Sequence, residues 1–337
     1  MKSRHKCNAN LYTKYLESTV CKFDCSSLSE VSPLEISHDS VSSWLASVKI
    51  QPKVIWKACM TDMKNLNMVK EGYSIIADET VISKKHSKKN KLLNFQYSGN
   101  EHGVVNGIGM LNLVVSNNTN TLPLDFKIYS PAEEKVSKNE QFRQMLSTAK
   151  QRGFTPDNIQ ADAWYGSLKN LKHIRFLEWD FIIGVASNRH FSDIDKINKK
   201  INEFDIPKEG RKLHLKGYGF VLVFMREQKH GSNKYYVVSN LNTTKDQFEH
   251  YVERRWEIEV YHKKLKQNFG LEKCQAHKSR SQRNHIALCV VAFMEQTRKL
   301  NILNSLNPES IKTTIEKVKW DYVKPVIAKN LKEMYLT

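Results

Sequence analysis

The longest uninterrupted helical pattern in the sequence is RWEIEVYHKKLKQNFGL, from Arg255 to Leu271. It contains no proline, no glycine before position 270, and many Leu, Lys, Glu and Gln residues, which predicts a helix of about four turns. Because a helix turns by about 100° per residue, one face carries an acid within a band of cations: Arg255, Glu259, Lys263 and Lys266. Such a face can be merely solvated, with its charges paired four residues apart, so the helix alone does not reveal a function.

Composition favours a polyanionic partner. The chain has 337 residues, enough for one large domain and a smaller one. Lys and Arg number 53 and Asp and Glu number 35, so the formal net charge is +18. Nucleic acid is the usual partner of so basic a chain, although a basic surface can also serve solubility alone.

The six cysteines are scattered, which is typical of reduced thiols inside a cell. Cys21 and Cys25 have a C-x3-C spacing without a second ligand pair nearby, so they are weak candidates for zinc. No apolar run follows the basic N-terminal residues, and no stretch approaches the roughly 18 apolar residues of a membrane span. We therefore expect a soluble, cytoplasmic protein without a membrane partner.

Short amphipathic helices are predicted in residues 1–70. One is expected in NLYTKYLESTVCKF, residues 10–23, and another in HDSVSSWLASV, with His38 or Asp39 as its cap. Pro52 suits the first turn of a third, PKVIWKACMTDMKNL. Residues 1–70 are thus interpreted as an N-terminal helical region that resembles a helix-turn-helix DNA-binding arm, the alternative being a plain helical lid.

From Tyr73 the pattern changes to strands. YSIIADETVIS predicts a first strand with Asp78 near its end, and HGVVNGIGMLNLVVS and LPLDFKIYS predict an antiparallel hairpin. A helix stopped by Gly153 leads to NIQADAWYGS, a short strand that delivers Asp162 at its end. A helix capped by Ser167 and the strand WDFIIGVASNR follow.

Two further strands, GYGFVLVFMRE and KYYVVSNL, form a small β unit before the long helix, which begins near Thr243 or Thr244. RNHIALCVVAFMEQTRKLNIL predicts a second long helix, buried on most sides. The expected divisions are 71–190 for the first part of a catalytic core, 191–242 for an inserted β subdomain, 243–310 for the second part of the core, and 311–337 for a C-terminal helical tail.

Three acids in this order are a candidate metal site. Two carboxylates at the ends of neighbouring strands, with a third from a later helix, supply the hard oxygen ligands that Mg²⁺ prefers. Two such ions about 4 Å apart can activate an attacking oxygen and stabilise a leaving one in phosphoryl transfer. Each acid alone could equally be a turn or cap residue; the joint placement of Asp78, Asp162 and Glu259 in a basic chain favours the metal site.

From about Ile36 to Leu303 the chain resembles the DDE-type transposases of bacterial insertion sequences, in the branch with a Tyr-Arg-Glu-Lys signature. ISHDSVSSWL is similar to the family's N-terminal arm and ADETVISK to its first-Asp strand. ADAWYGSLKNLKHIRFLEWDFIIGVASNR is similar to its second-Asp segment, and RWEIEVYHKKLKQNFGL to its third-carboxylate helix. The resemblance implies an α/β, RNase H-like mixed sheet flanked by helices, with a β insertion between the second and third acids.

The resemblance also implies a catalytic role for Asp78, Asp162 and Glu259, which would hold two divalent metal ions, Mg²⁺ or Mn²⁺. The signature is Tyr-x2-Arg-x3-Glu-x6-Lys; Arg255 and Lys266 fit it, whereas its Tyr position is Val252. Double-stranded DNA of the transposon ends and the target would be the partner, with a homodimer holding two ends together in the bacterial cytosol, at the nucleoid.

Seven residues are candidate DNA contacts. For Trp164, at the end of a strand, a core position is the first expectation and stacking on a flipped base the second. Tyr218, Tyr235 and Tyr236 of the β unit are rival stacking candidates, with ordinary sheet packing as their alternative. The remaining candidates are mostly phosphate contacts: Arg255, Lys266, Lys263, His262, Lys84 and Tyr251. A non-catalytic DNA-binding protein derived from such an element, and a hydrolytic nuclease of the same fold, are the alternative functions.

Overall fold

The computed structural model describes residues 6–305 except 20–21, 52, 88, 100, 132, 134 and 229–232. The predicted tail at 311–337, together with Cys21 and Pro52, lies outside the described residues. The chain divides into two units. The sheet unit contains residues 56–82 and 92–262, and the helical unit contains the described residues up to 55, 83–91 and 263–305.

Eleven strands of the described chain form one sheet. They are β1 (Ser74–Ser83), β2 (Asn94–Ser98), β3 (Gly103–Ser116), β4 (Thr121–Tyr129), β5 (Asn158–Ala161), β6 (Phe181–Val185), β7 (His190–Ser192), β8 (Asn198–Lys200), β9 (Arg211–Leu215), β10 (Gly219–Glu227) and β11 (Asn233–Val238). The described helices are α1 (Ala9–Ser18), α2 (Cys25–Val31), α3 (His38–Ser47), α4 (Lys53–Asn65), α5 (Met68–Glu71), α6 (Lys138–Gln151), α7 (Leu168–Phe176), α8 (Lys245–Asn268) and α9 (Ser279–Ser305). The architecture is therefore a mixed α/β sheet with helices, as expected.

The strand order is β2-β3-β1-β5-β6-β11-β10-β9-β7-β8, and β4 pairs with β3. The pairs β1–β5 and β5–β6 are parallel, whereas β3–β4, β6–β11 and β10–β11 are antiparallel. The predicted β3–β4 hairpin is present, and β2 was not predicted. The parallel strands lie in the middle of the sheet, where adjacent carboxyl ends meet at one edge.

The segment that was predicted to be an inserted β unit has five strands instead of two. It lies between β6 and α8, as expected, but β11 pairs with β6, so these strands extend the core sheet. The strands that the sequence pattern missed are short, with three residues each in β7 and β8 and five in β9. So few residues give too little alternation of polar and apolar side chains to identify a strand.

Local signals placed the boundaries of three helices correctly. The Ser167 Oγ accepts from the Asn170 N–H and caps α7. Thr244 and Gln247 bond each other's backbone N–H groups at the start of α8, which is a capping box. Gly153, at φ 82°, follows α6, a conformation that glycine adopts without strain. The predicted caps Ser167 and Thr244 and the glycine stop after α6 are thus confirmed.

The first half of α8 packs on the part of the sheet formed by β6, β10 and β11. Phe248 stacks on Phe224, with ring centroids 4.2 Å apart and planes 6° apart, and Val252 joins the same buried cluster. Burial of these apolar side chains fixes the rotation of α8 about its axis. The opposite face of the helix carries exposed charges such as Glu253.

In the helical unit, α1 and α3 pack against α9. Tyr12 Oη bonds His285 Nδ1 at 2.9 Å, and Asn284 Nδ2 donates to the Leu45 and Val48 carbonyls at 2.8 and 2.7 Å. The predicted helix at 10–23 ends instead at Ser18. Within the described residues, every helix is too short or too polar to cross a lipid bilayer.

The predicted cap of α3 was also wrong. Ser37, not His38 or Asp39, caps it, because the Ser37 Oγ accepts from the Ser40 N–H at 3.2 Å.

Candidate active site

Two aspartates follow paired residues on adjacent parallel strands. Ala77 of β1 pairs with Ala161 of β5, and Asp78 and Asp162 are the next residues of the two segments. Asp162 comes directly after its strand, as predicted. Asp78 does not, because β1 continues to Ser83; only the pairing with β5 ends before it. The two carboxylates therefore lie beside each other although one strand runs on.

Local backbone groups hold each aspartate. Asp78 Oδ1 accepts from the Glu79 N–H at 2.8 Å, and Asp162 Oδ1 accepts from the Trp164 N–H at 3.0 Å. Gly184 of β6 lies against the turn after β5: a Cβ there would be 2.9 Å from Ala163 N. A larger residue at position 184 would push the turn that carries Asp162 away from the sheet.

The third acid comes from α8, whose rotation is set by its apolar face. Glu259 Oε1 lies 3.5 Å from the Arg255 guanidinium, one turn earlier on the same helix. Both side chains belong to the electrostatic surroundings of the two aspartates: the charge of Glu259 raises their pKa values, and the charge of Arg255 lowers them. The charges of the three acids and of Arg255 therefore act on one another.

The pKa of Asp78 is raised to about 7. Desolvation by burial is the largest cause, followed by the negative charge of Asp162; the hydrogen bond from Glu79 N–H and the charge of Arg255 act in the opposite direction. Partial desolvation also raises the pKa of Asp162, which remains exposed to solvent. The negative charges of Asp162 and Glu259 both disfavour ionisation of Asp78, and a nearby cation would offset this repulsion.

The described side chains contain no group of three or more His, Cys, Asp or Glu that could hold a metal ion as they are placed. Each of the three acids instead faces its own local donor: a backbone N–H for Asp78 and Asp162, and Arg255 for Glu259. The chemistry of the set nevertheless fits a divalent cation, because it supplies hard carboxylate oxygens that repel one another.

A fourth acid near this site was missed. Glu79, the residue after Asp78, forms a 2.5 Å ion pair with Lys138 at the start of α6, and the charge of Asp162 raises its pKa after the larger effect of desolvation. The motif ADETVIS contains Glu79, but the sequence gives no sign that Lys138 lies beside it. Lys138 adds a positive charge to the edge of the site.

Trp164 is 65% exposed, so the expectation of a buried core tryptophan is wrong. It lines a cavity of about 420 Å³ together with Phe95, Gln96 and Lys138. Phe95 is 81% exposed and lies on β2, the strand that was not predicted. An open cavity with aromatic rings and an amide thus lies next to Asp162.

Two of the candidate DNA contacts, both on α8, are involved in the packing of this helix on the sheet. The His262 residue is 7% exposed, and its Nε2 bonds Asn112 Nδ2 of β3 at 3.0 Å. The ring of Tyr251 packs against the buried cluster beneath α8 and lies under the Arg254 guanidinium at 5.3 Å. These side chains anchor α8 on the sheet unit.

Arg254 was not among the residues that the sequence pattern indicated. It is 5% exposed, donates to the Asn118 side chain at 2.5 Å and the Ser74 hydroxyl at 3.0 Å, and lies 3.6 Å from Asp157. The pattern RRWEIE gives adjacent arginines but does not tell which of them is buried.

The remaining candidates lie in the helical unit. Lys84 Nζ donates to the Glu272 and Cys274 carbonyls at 2.8 and 2.6 Å, and Lys266 pairs with the Glu272 carboxylate at 3.1 Å. Lys263 is exposed. Lys84 and Lys266 therefore converge on one loop after α8, and a phosphate contact by either requires exchange of these bonds.

A family model described as a transposase DDE domain matches residues 70–294, about two thirds of the chain. No curated protein sequence matches.

Solved structures are only distantly similar. The Drosophila P element transposase strand transfer complex is 12% identical, with a TM-score of 0.33, over 59% of this chain and 48% of that one. Endonuclease V from Bacillus subtilis is 9% identical, with a TM-score of 0.33, over 67% of this chain and 98% of that one. The Mos1 strand transfer complex is 13% identical, with a TM-score of 0.20, over 54% and 59%.

The chain thus spans about half the length of the P element transposase chain that it matches. The family match itself runs from before Asp78 to beyond Glu259 and covers more than half of the chain, so the protein belongs to the family of transposase DDE domains.

Proposed function

We propose that this protein is a DNA transposase that cleaves the ends of its element and joins them to target DNA. The observation that supports the proposal is the mutual electrostatic influence of Asp78, Asp162 and Glu259 within a transposase DDE domain. A water molecule attacks the phosphodiester at the element end, the bond from phosphorus to the 3′ oxygen breaks, and a 3′-hydroxyl is released. That hydroxyl then attacks a phosphodiester of the target DNA: a new bond forms from its 3′ oxygen to phosphorus, the bond from that phosphorus to the target's 3′ oxygen breaks, and the target's 3′-hydroxyl is released.

Two divalent cations, Mg²⁺ or Mn²⁺, held by the three acids, would supply activation of the attacking oxygen and stabilisation of the leaving one. The chain's own residues bind and orient the DNA. Arg255 carries a planar guanidinium that matches two phosphate oxygens, and it already lies beside Glu259. Lys138 balances the negative charge of Glu79 at the edge of the site.

Trp164 is proposed to stack on a base of the element end. Its exposure and the neighbouring cavity of about 420 Å³ support this role, since a nucleobase is flat and apolar on its faces. Lys263 and Lys266 are proposed phosphate contacts. His262 and Tyr251 act instead by holding α8 in place, as their packing suggests.

We further assign the chain to the branch with the Tyr-Arg-Glu-Lys signature and to the RNase H-like fold. Arg255, Glu259 and Lys266 occupy the spacing of the signature on α8, and the segment with β7–β11 corresponds to the β insertion. The position of the signature tyrosine is Val252, which is buried in the cluster beneath α8. The role of that tyrosine is therefore absent or is taken by another residue.

A non-catalytic DNA-binding protein and a hydrolytic nuclease are the competing functions. Purified protein is incubated with DNA that contains the element ends, in Mg²⁺ and separately in Mn²⁺. A transposase gives nicks at the ends and joined products; a nuclease gives nicks alone; a binding protein gives neither. Nicks that persist in Asp78→Ala, Asp162→Ala or Glu259→Ala would refute the assignment of these acids.

We also propose that a homodimer holds the two ends of the element together in one complex. Mixing of an inactive Glu259→Ala chain with wild-type protein tests it. If two copies share one complex, the inactive chain reduces cleavage in more than simple proportion to its share of the mixture.

A further inference from the structure

A second cavity, of about 560 Å³, lies on the sheet unit between α6, α7 and β4. Residues from three elements line it, among them Lys127 of β4, Arg143 of α6 and Lys169 of α7. None of these residues belongs to the three acids or their immediate surroundings. We refer to it as the α6–α7 groove.

The α6–α7 groove has an excess of positive charge. Lys127 Nζ donates to Gln144 Oε1 at 2.6 Å, and Arg143 Nη1 donates to Asn170 Oδ1 at 2.7 Å, so both cations bond neutral amide oxygens. Lys169 is exposed. Among the described side chains that line the groove, Glu140 is the one acid. Three cations thus face one carboxylate.

A nearby acid does not neutralise this charge. Asp125 lies two residues before Lys127, but its carboxylate forms a 3.0 Å ion pair with Arg152. The amide partners Gln144 and Asn170 hold the two cations in place without cancelling their charge. Because these cations are already held in one conformation, they lose little side-chain entropy when they bind an anion.

We infer that the α6–α7 groove binds the phosphate backbone of a DNA duplex. The groove is open, and its cations come from three different elements, which suits a run of successive phosphates along a strand. A small phosphorylated ligand usually needs converging backbone N–H groups, as at a helix N-terminus. In the first turns of α6 and α7 the N–H groups of Glu140 and Asn170 already donate to the capping hydroxyls of Ser137 and Ser167, and the cations of the groove are side chains of three separate elements.

The position of the groove relative to the acids supports DNA as its occupant. The helix that carries Arg143 begins with Lys138, which pairs with Glu79 beside Asp162. The helix that carries Lys169 begins six residues after Asp162. Both walls of the groove therefore start at the active-site edge, and a duplex whose phosphate reaches the acids continues along them. This inference rests on the proposed function in taking DNA as the partner.

Salt dependence of binding tests the groove. Full-length wild-type protein and a Lys127→Gln/Arg143→Gln/Lys169→Gln variant are titrated with a random-sequence duplex, without divalent metal, over a series of salt concentrations. Each phosphate contact contributes about 0.9 to the magnitude of the slope of log K against log salt concentration. For the variant, which lacks three cations, the magnitude of this slope should be smaller by about two to three. Its affinity at low salt should fall by at least about tenfold.

The matched control removes the same charge from exposed lysines outside the groove, in Lys64→Gln/Lys70→Gln/Lys172→Gln. Equal losses in the two variants would show a general effect of net charge and overturn the inference. Because Arg143 also bonds the buried Asn170, a Lys127→Gln/Lys169→Gln variant tests the charge without that bond; its slope should fall by about one to two. An unchanged slope in both groove variants overturns the inference.

The outcomes separate this inference from the proposed function. If wild-type protein cleaves element ends and the groove variants keep the wild-type salt dependence of DNA binding, the inference about the groove is refuted and the proposed function stands. If the groove substitutions reduce the salt dependence of DNA binding but the wild-type protein never cleaves element ends, the proposed transposase function is refuted and the inference about the groove stands. Wild-type protein that binds no duplex refutes both.

Discussion

Arg254 Nη1 of α8 lies 3.6 Å from Asp157 Oδ2, just before β5, and joins the helix that carries Glu259 to the strand that leads to Asp162. The Arg254 side chain is 6% exposed and that of Asp157 is 38% exposed. The same guanidinium bonds Ser74 at the start of β1. One buried cation thus links the three elements that supply the acids.

Replacement of Arg254 by Met should destabilise the protein by about 3 kcal/mol, because the buried ion pair and its hydrogen bonds are lost. Urea denaturation measures the change. The control is Arg226→Met, whose ion pair with Glu249 is 36% exposed on both sides and should contribute less than about 1 kcal/mol. Equal effects of the two substitutions would contradict a special role for the buried pair.

Truncation of the aromatic stack beneath α8 should also be costly. Phe248→Ala removes a fully buried ring that stacks on Phe224, and should destabilise the protein by about 3–5 kcal/mol through lost burial and a cavity. Thermal unfolding gives the change. Phe176→Ala, at a ring that is 80% exposed, is the matched control and should change stability by less than about 0.5 kcal/mol.

Much of the fold could be predicted because its signals are local. Caps such as Ser167 and Thr244, the glycine stop after α6, and the apolar periodicity of α6 depend on residues within a few positions of one another. The position of Asp162 followed from the same kind of signal, a short apolar strand followed by a cap. These features need no knowledge of the distant parts of the chain.

Features that depend on distant partners could not be predicted. β2 was not predicted, because it is defined by its pairing with β3, and no nearby residue signals that pairing. Arg254 is buried and Arg255 faces the acids because Asp157 and Ser74 meet only Arg254. Trp164 is exposed and the next residue, Tyr165, is buried in its place, whereas a tryptophan beside a strand is usually buried.

The helical unit should lose stability in mild acid through His285. Burial is the main cause that lowers its pKa from 6.5 to about 4, where its ring bonds Tyr12 and the Gly270 carbonyl. Between these pH values the unfolded chain binds the proton and the folded chain does not. Stability is therefore fully present above about pH 6.5 and falls by about 3 kcal/mol as the pH is lowered to about 4.

Urea titrations at several pH values measure this loss. In His285→Gln the difference in stability between pH 7 and pH 4.5 should shrink by about 2.4 kcal/mol, since glutamine does not titrate in this range. A variant as sensitive to acid as the wild-type protein would assign the loss to other groups.

Trp164 should matter for the binding of element ends and not for stability. Trp164→Ala removes an exposed ring and should weaken end binding by about 5- to 150-fold if one base stacks on it, because such stacking contributes about 1–3 kcal/mol. Trp164→Phe should retain most of the affinity. Fluorescence anisotropy with end-containing DNA measures both, and Phe176→Ala is the control at another exposed ring. Equal affinities for the alanine and phenylalanine variants would argue against stacking.

Glu259→Gln should abolish strand cleavage, with a loss of at least about 1000-fold, while end binding stays within about threefold of wild type. The substitution keeps the size of the side chain but removes the charge that neighbours Asp78 and Asp162, and several kcal/mol of transition-state stabilisation depend on ions held by such charges. Glu253→Gln lies on the same helix at an exposed position and serves as the matched control, which should cleave normally. Cleavage is followed on labelled end-containing DNA in Mg²⁺ and in Mn²⁺, with binding measured on the same preparations. Normal cleavage by Glu259→Gln would show that the third carboxylate lies elsewhere, whereas loss of both cleavage and binding would point to a displaced α8.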